Sequence, residues 1–338
     1  MSTTLSALAT QKMDQLIELT AKRYNGLPGK TYTATPTIAQ ELNDKVTEDG
    51  NWFLPLINVL PVSDIQGEKL LMGLSGPVTS RTDTSGSGSR VAKSLAALDE
   101  KGYQLRKTDT DVAIRYSLID MWSKFPDFSD RYGRYFRKKI GDDRVIIGFN
   151  GTSAAATTDV VANPLLQDVN IGWLQQIREF NSGSQRRVGT VSVPITLGGA
   201  TFPNLDVLAH DMKSRLAIQF RGNTDLVLLA GDDVLTYQRR KYYEVNGNKP
   251  TEKTLLANGQ VAEVFGGFPT LYAPHFLDST LLLTSLNNLS IYWQATSWRR
   301  KQEDNAKKDQ YEDFNSRNEG YVVENFEMTS LVENITFA

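Results

Sequence analysis

Residues 126–151 read PDFSDRYGRYFRKKIGDDRVIIGFNG, and the rest of the chain is organised around this stretch. Its large apolar side chains recur at every fourth position: Phe128, Tyr132, Phe136 and Ile140. That spacing places them on one face of an α-helix. Because proline is tolerated in the first turn of a helix, Pro126 fits the start, and the pattern predicts a helix over residues 127–149.

The opposite side of this predicted helix is basic, with Arg131, Arg134, Arg137 and Lys138. An amphipathic helix whose basic face is solvated is the common case. The alternative is a long helix that lies across a protein shell, with Arg131, Arg134 and Lys138 facing DNA. The spacing favours the first interpretation and leaves the second open.

The composition excludes several classes of protein. The 338 residues are 40% hydrophobic and 22% charged, which is typical of a folded globular chain. The absence of cysteine excludes disulfides, thiolate nucleophiles and thiolate metal sites. A formal net charge of −2 means that any contact with nucleic acid needs a local basic patch. We expect no membrane partner, because no apolar run approaches the roughly 18 residues of a membrane span and the N-terminus lacks a signal-peptide layout.

Two helices and an extended arm are predicted in the N-terminal part of the chain. The first helix covers residues 3–24, and the breaker cluster Asn25–Gly29 follows it. This pattern fits a detachable or scaffold-binding segment and a plain terminal helix equally well. A second helix opens at Thr35-Pro36, with Thr35 as its cap. The run Phe53–Val62 contains two prolines, which disfavour a central strand, and we interpret it as an arm on a neighbouring surface.

A long β-hairpin is predicted over residues 66–116. Glu68–Leu74 is the outgoing strand, and Tyr103–Tyr116, with its alternating apolar residues, is the returning strand. Serine and glycine alternate over Ser85–Ser89, which predicts a flexible tip. A hairpin of this length has too few partners to be stable alone. We therefore expect it to fold back on its own domain or to lie on another subunit.

A short helix is predicted between this hairpin and Pro126. Ser117 and Asp120 resemble the capping box that begins such a helix. Its apolar residues fall at helical spacing and are predicted to pack inward: Leu118, Met121, Trp122 and Phe125.

The rest of the chain alternates helices and strands, which indicates an α/β or α+β lobe over 204–290 and an α+β fold for the chain as a whole. A hairpin is predicted over residues 188–203, and a compact lobe over 204–290. The segment from Arg299 to Asn318 is charged and predicted to be exposed. Two strands with alternating apolar residues are predicted to pair at the end of the chain: Gly320–Phe326 and Leu331–Phe337.

No catalytic constellation is recognisable. His210 and His275 lie in no known motif, and the chain has no HExxH pair, Walker-type loop or GxSxG elbow. Asp142-Asp143 and Asp232-Asp233 could bind a metal weakly, but capping or solvated roles are commoner for such pairs. We predict no catalytic residue, no cofactor and no metal site. A hydrolase or nuclease lobe that uses Asp232 and Asp233 remains an alternative.

Several short strings, in order along the chain, resemble one family. They are INVLPVS at 57–63, GEK at 67–69, IRY at 114–116, DFS at 127–129, FNG at 149–151, NPLLQDVNIGWLQ at 163–175, NLSIYW at 288–293, YVVENF at 321–326 and LVENI at 331–335. Together they resemble the peduovirus-type major capsid protein precursor of tailed phages, which has the Hong Kong 97-type fold. The resemblance covers the chain from about residue 31.

The resemblance implies a division of the chain into named parts. The predicted helix over 127–149 corresponds to the spine helix of the peripheral domain. The other parts are an N-terminal pro-segment over 1–30, an arm over 31–65, the extended loop over 66–116, the peripheral domain over 117–203 and 291–338, and the axial domain over 204–290.

The same resemblance implies partners and sites. It implies self-assembly into hexamers and pentamers of an icosahedral head that encloses double-stranded DNA. The other partners are a portal protein and an internal scaffold that doubles as a maturation protease. The extended loop, with Arg81, Asp83, Arg90 and Lys93, is expected to contact a neighbouring subunit. A maturation cut is expected among these residues: Gly29, Lys30, Thr31, Tyr32 and Thr33. The alternative within the same fold is an encapsulin-like cellular nanocompartment shell.

Overall fold

The computed structural model describes residues 6–71, 79, 81–83, 85, 89–90, 97–187, 191–193, 200–237, 240 and 264–337. The helices in chain order are α1 (Ala7–Arg23), α2 (Pro36–Asp49), α3 (Tyr116–Trp122), α4 (Phe128–Asn150), α5 (Trp173–Glu179) and α6 (Leu205–Arg215). Residues 232–237 are also helical. The strands are β1 (Tyr32–Thr33), β2 (Asn58–Val62), β3 (Gln66–Leu71), β4 (Ala97–Gln104), β5 (Arg106–Asp109), β6 (Val112–Arg115), β7 (Arg186–Arg187), β8 (Val191–Val193), β9 (Ala200–Thr201), β10 (Leu226–Ala230), β11 (Val264–Phe265), β12 (Phe268–Leu271), β13 (Leu281–Ser285), β14 (Leu289–Gln294), β15 (Arg299–Asn305), β16 (Gln310–Val323), β17 (Ser330–Val332) and β18 (Ile335–Phe337).

Helix α4 contains 23 residues and is the helix predicted over 127–149. Its apolar stripe is buried, as the four-residue spacing requires: Phe128, Tyr132, Phe136 and Ile140. Helices α1, α2 and α5 pack against it. The crossing with α2 is close because both backbones present glycine there, and a Cβ at Gly141 would lie 2.6 Å from the Cα of Gly50.

A seven-stranded sheet joins strands from both ends of the chain, in the order β1-β15-β16-β14-β2, with β5 and β6 also paired to β16. Strands β15 and β16 form an antiparallel hairpin. Strand β2 lies at the edge and runs parallel to β14. The segment around Pro61, predicted to be an arm on a neighbouring surface, is therefore an edge strand of the subunit's own sheet. An edge strand tolerates the missing N–H of a proline.

A six-stranded sheet, in the order β11-β12-β10-β13-β17-β7, builds the other lobe. Strand β17 comes from the end of the chain and pairs with β13. The predicted pairing of Gly320–Phe326 with Leu331–Phe337 is therefore wrong, since β16 pairs with β14. The physical reason is burial, because Leu331 and Val332 are fully buried in the two central apolar clusters of the subunit.

A small sheet of β18, β8 and β9 corrects a second prediction. The predicted hairpin over residues 188–203 is wrong, because β8 and β9 are parallel neighbours. Parallel strands cannot be joined by a tight turn. The proposed turn at Gly198-Gly199 lies outside the described residues.

Strands β3 and β4 form a separate two-stranded antiparallel ladder. The predicted return strand over Tyr103–Tyr116 is wrong beyond Gln104, since β5 and β6 pair with β16. Strand β16 is 14 residues long, so its edge offers these segments the ladder hydrogen bonds that a two-stranded ribbon lacks. At its base, the hairpin ladder thus ends at Gln66 and Gln104 and does not continue to Tyr116.

Helix α1 is docked on the subunit. It packs on α3 and α4 and buries four side chains: Ala9, Met13, Leu16 and Ala21. The backbone N–H of Ser6 donates to Asp120 Oδ1 at 3.0 Å. Asp120 therefore holds the start of α1 and does not cap α3, whose N-cap position is Arg115. Among the described residues, no helix is both long and apolar enough to cross a bilayer.

Candidate functional site: an aromatic and basic groove on the long helix

A groove of about 440 Å³ lies between the end of α3 and the first half of α4. Its lining is Trp122, Phe125, Phe128, Arg131, Arg134, Tyr135 and Lys138. Proline at 126 separates the two helices, so the chain turns between them and Phe125 lies in the turn. Residues at positions i, i+3, i+4 and i+7 share one side of a helix, which brings the three cations and Tyr135 together.

Apolar side chains around this groove are exposed. The exposed fractions are 47% for Phe125, 71% for Tyr135 and 60% for Met121. The prediction that Leu118, Met121, Trp122 and Phe125 pack inward is therefore wrong for all but Trp122, which is half-buried. The buried face of α3 contains Tyr116 and Ile119 instead, because that face contacts α1.

The three cations of the groove differ in their partners. Arg131 Nε donates to Asp127 Oδ2 at 2.7 Å, and its guanidinium lies 5.2 Å from the centroid of the Phe125 ring. The hydrogen bond from Arg131 lowers the pKa of Asp127. Within the part of the chain that the structure describes, the side chains of Arg134 and Lys138 make no hydrogen bond or ion pair, although Arg134 interacts electrostatically with Asp127. Two cations thus remain available for a partner.

The second half of α4 carries a cation in the opposite environment. Arg144 is fully buried, and its Nε donates to Glu319 Oε2 at 3.0 Å. Arg317 donates to both oxygens of Glu319, at 2.7 and 3.0 Å. Burial acts to raise the pKa of Glu319, but the guanidinium groups of Arg317 and Arg144 outweigh it and hold this pKa below its usual value.

A second buried ion pair lies nearer the start of α4, beside Tyr132. Arg300 donates to both oxygens of Asp313, at 2.9 and 2.6 Å. The Tyr132 hydroxyl donates to Asp313 Oδ2 at 2.8 Å, and burial beside this carboxylate raises the pKa of Tyr132. The prediction that the charged segment up to Asn318 is exposed is therefore wrong for Asp313 and Arg317, which are buried.

Sequence reasoning missed these buried charges. Asp313, Arg317 and Glu319 occur at odd positions of one strand, and alternate residues of a strand share one face. That alternation is the signal that could have identified a polar face turned toward α4.

The described residues that are expected to contact a neighbouring subunit are not in the lining of this groove. Arg81, Asp83 and Arg90 are exposed, and Lys93 is outside the described residues. Asp83 accepts hydrogen bonds from the backbone N–H and the hydroxyl of Ser85, which lowers its pKa. Their contact with another subunit stays a prediction.

The expected cleavage region divides into two parts. Gly29, Lys30 and Thr31 are exposed, and Gly29 has a φ of +71°. Tyr32 and Thr33 form β1, which pairs with Arg300 and Arg299 of β15. The first three residues are therefore accessible, whereas the last two belong to a sheet.

Residues weighed as catalytic candidates have structural partners. Asp142 accepts a hydrogen bond from Asn51, Asp143 pairs with Lys139, and Asp233 accepts one from the Ser279 hydroxyl. His210 and His275 are exposed, and neither is a sequence neighbour of these three carboxylates. Among the described residues, no group of three or more histidine, aspartate or glutamate side chains could hold a metal ion.

Solved structures with the same architecture are capsid shells. The structure superposes on a chain of the "Satellite phage P4 procapsid including size determination (Sid) protein" with a TM-score of 0.79 and 30% identity, covering 97% of this chain and 98% of that one. It also matches the capsid of an empty GTA particle with a TM-score of 0.52 and 14% identity, covering 83% and 89% of the two chains, which shows the fold alone. The chain thus has the Hong Kong 97-type fold of capsid subunits.

Sequence comparison identifies the family within that class. Residues 10–335 match the model of "Phage major capsid protein, P2 family". The chain is 34% identical over 316 residues to the capsid proteins of Escherichia phage P2, covering 90% of this chain and 87% of that protein. It is 30% identical over 318 residues to the major capsid protein of Serratia phage KSP20, covering 91% and 90%. The chain belongs to the P2 family of phage major capsid proteins, which confirms the resemblance and disfavours the nanocompartment alternative.

Family membership defines the function at a coarse level. The protein is a tailed-phage major capsid protein, and its place is the shell of the virion. Its subunits assemble with one another into that shell. The family is one of structural capsid proteins.

Proposed function

We propose that this capsid protein forms the hexamers and pentamers of an icosahedral head that encloses double-stranded DNA, with a structural and not a catalytic role. The observation that carries the proposal is the hairpin of β3 and β4, which pairs only with itself among the described residues of a chain from a capsid family. An isolated two-stranded ribbon is marginally stable in water. A neighbouring subunit under the hairpin supplies the missing contacts.

In this proposal the hairpin extends from its own domain and clamps a neighbouring subunit. Its ladder ends at Gln104, and the chain then enters the large sheet through β5, so the base of the hairpin is anchored. Arg81, Asp83 and Arg90 lie in the sequence between β3 and β4, and all three are exposed. This arrangement supports the extended-loop role for residues 66–104.

Deleting Ser80–Lys93 tests the clamp. We expect the purified variant to keep the far-UV circular dichroism spectrum of the wild type, because the described residues of this segment, 81–83, 85, 89 and 90, are exposed. We expect negative-stain electron microscopy to show shells or capsomers for the wild type and none for the variant. Normal shells at normal yield would show that the hairpin does not link subunits.

The proposed partners act on the N-terminal segment and the enclosed space. An internal scaffold that doubles as a maturation protease binds and cuts the pro-segment, a portal protein occupies one vertex, and DNA fills the head. Exposure of Gly29, Lys30 and Thr31 supports a cut before β1. Intact mass of the subunit from DNA-filled particles tests it, and a mass equal to all 338 residues would exclude cleavage.

A further inference from the structure

The groove between α3 and α4 has two properties that shell formation by the hairpin does not use. It exposes the large apolar side chains Phe125 and Tyr135, with Met121 beside it. Contiguous exposed apolar surface marks an interaction site on a folded subunit. It also holds Arg134 and Lys138, which have no ion pair or hydrogen bond within the described residues.

We propose that this groove is a docking site for an acidic peptide segment with large apolar side chains, carried by a partner protein. The argument is charge complementarity around an apolar floor. Three cations line the groove, and Asp127 at its edge bonds to Arg131 and interacts electrostatically with Arg134. The three cations outweigh this carboxylate, so the side chains of Arg134 and Lys138 can bind carboxylates of the partner. Phe128 forms the floor and is buried, which gives the site a rigid base.

The size of the groove fits side-chain insertion. Its volume of about 440 Å³ lies within the roughly 300–1,000 Å³ of small-molecule sites in proteins. An amphipathic helix inserts its apolar side chains at positions i, i+3, i+4 and i+7 into such a groove. Its acidic flank then reaches Arg134 and Lys138, which are four residues apart and so lie on one side of α4.

Double-stranded DNA fits this surface less well. DNA is held through its phosphates by cations, and these contacts do not bury apolar side chains. Exposed Phe125 and Tyr135 would stay in water beside a duplex, whereas an apolar partner removes them from it. The combination of aromatic and basic side chains therefore favours a peptide over packaged DNA.

The site is also placed next to the N-terminal helix. Phe128 is in the same apolar cluster as Ala9 and Met13 of α1, and it is in the lining of the groove. Phe128 is therefore buried between the groove and the apolar cluster that α1 joins.

Fluorescence anisotropy of labelled probes with the full-length chain tests the proposal. The probe is a designed helical peptide of about 18 residues, roughly five turns, with leucine and phenylalanine on one face and glutamate on its flanks. A scrambled peptide of the same composition and a double-stranded DNA of about 20 base pairs are the comparison probes. The variants are Phe125→Ser, the double variant Arg134→Ala with Lys138→Ala, and Lys139→Ala as the control on the same helix. Lys139 pairs with Asp143 and does not line the groove.

We expect the designed peptide to bind the wild type and the control equally and more tightly than the scrambled peptide. Both groove variants should bind it more weakly, by on the order of tenfold, with the difference for the double variant shrinking at high salt. Circular dichroism verifies that each variant is folded.

Three results would overturn the proposal. The first is equal binding of the scrambled and designed peptides, or no binding of either. The second is tighter binding of DNA that Phe125→Ser leaves unchanged, which would assign the cations to packaged DNA. The third is self-association of the chain that sedimentation shows to depend on Phe125, which would assign the groove to a second copy.

Discussion

Helix α4 carries cations in both of its halves, and their surroundings are opposite. In the first half, Arg134 and Lys138 lie beside exposed aromatic side chains. In the second half, Arg144 is fully buried and bonded to Glu319 and to Asn43. One helix thus contains cations that hold the subunit together and cations that are free to bind a partner.

The difference between the halves comes from what packs against them. Strand β16 lies along the buried face of α4 and supplies Glu319 to the second half, so Arg144 replaces its lost hydration with charge-assisted hydrogen bonds. On the exposed face of the first half, the end of α3 places the apolar side chains Trp122 and Phe125 in the groove. Asp127 bonds to Arg131 and acts on Arg134 only electrostatically. Residue type alone therefore does not separate a structural cation from a binding one.

Glu319→Ala should give the largest loss of stability. The substitution leaves Arg144 and Arg317 buried without their common carboxylate. Removing one partner of a buried ion pair costs about 3–5 kcal/mol. Urea unfolding of the unassembled chain, followed by circular dichroism, measures the change. The control is Glu303→Ala in the same hairpin, whose partner Lys301 is partly exposed, and we expect a loss of about 0–1 kcal/mol. Equal losses for the two variants would contradict the structural role of Glu319.

Tyr132→Phe should give a smaller loss, in the first half of the same helix. Its hydroxyl donates to the buried carboxylate of Asp313, and a hydrogen bond to a charged group contributes about 1.5–3 kcal/mol. Tyr135→Phe is the matched control, because Tyr135 is exposed and its hydroxyl has no bond to another described residue. The same urea titration compares them. If Tyr135→Phe destabilised the chain as much as Tyr132→Phe, the assignment of buried and exposed faces would be wrong.

Much of the fold could be predicted from local pattern, and the charge network could not. The spacing of Phe128, Tyr132 and Phe136 predicts the long helix, since an apolar stripe needs a core. The charged run after Arg299 predicts exposure, because charges are buried only when partners from elsewhere meet them. Those partners are separated by 175 residues in the case of Arg144 and Glu319. The local sequence can indicate that a strand has a polar face, but it does not indicate which distant residue pairs with it.

The groove was open to prediction in part. The basic residues Arg131, Arg134 and Lys138 are identified from spacing as one exposed side of the helix, and the structure places all three in the groove. Phe125 was missed because an aromatic residue at helical spacing is normally taken to be buried. Which face of α3 is buried depends on the docking of α1, and that contact is not local. Contact of the three cations with packaged DNA stays a prediction.

Acid should weaken the subunit partly through Glu319. Its pKa is lowered in the folded state from the ordinary 4.5, because Arg317 and Arg144 outweigh the effect of burial. A carboxyl group with a lowered pKa contributes stability that is fully present above its unfolded pKa and is lost as the pH falls through the folded pKa. We therefore expect the free energy of unfolding of the wild type to fall below about pH 4.5 more steeply than that of Glu319→Gln. Urea titrations between neutral pH and pH 3 measure both slopes, and parallel slopes would mean that Glu319 does not couple protons to folding.

The double variant Arg134→Ala with Lys138→Ala should give the smallest effect on stability, and it tests the comparison most directly. Neither side chain has an ion pair or a hydrogen bond within the described residues, so their removal leaves no buried charge unpaired. We expect the midpoint of urea unfolding to equal that of the wild type within error at low and at high salt. Arg144→Met in the other half of α4 should lower the midpoint clearly, because the buried carboxylate of Glu319 then keeps only one of its two ion-pair partners, Arg317. A lowered midpoint for the double variant would show that Arg134 and Lys138 also stabilise the subunit, and these two cations would then not be available only for a partner. An unchanged midpoint together with weaker binding of the acidic peptide would separate the two roles along a single helix.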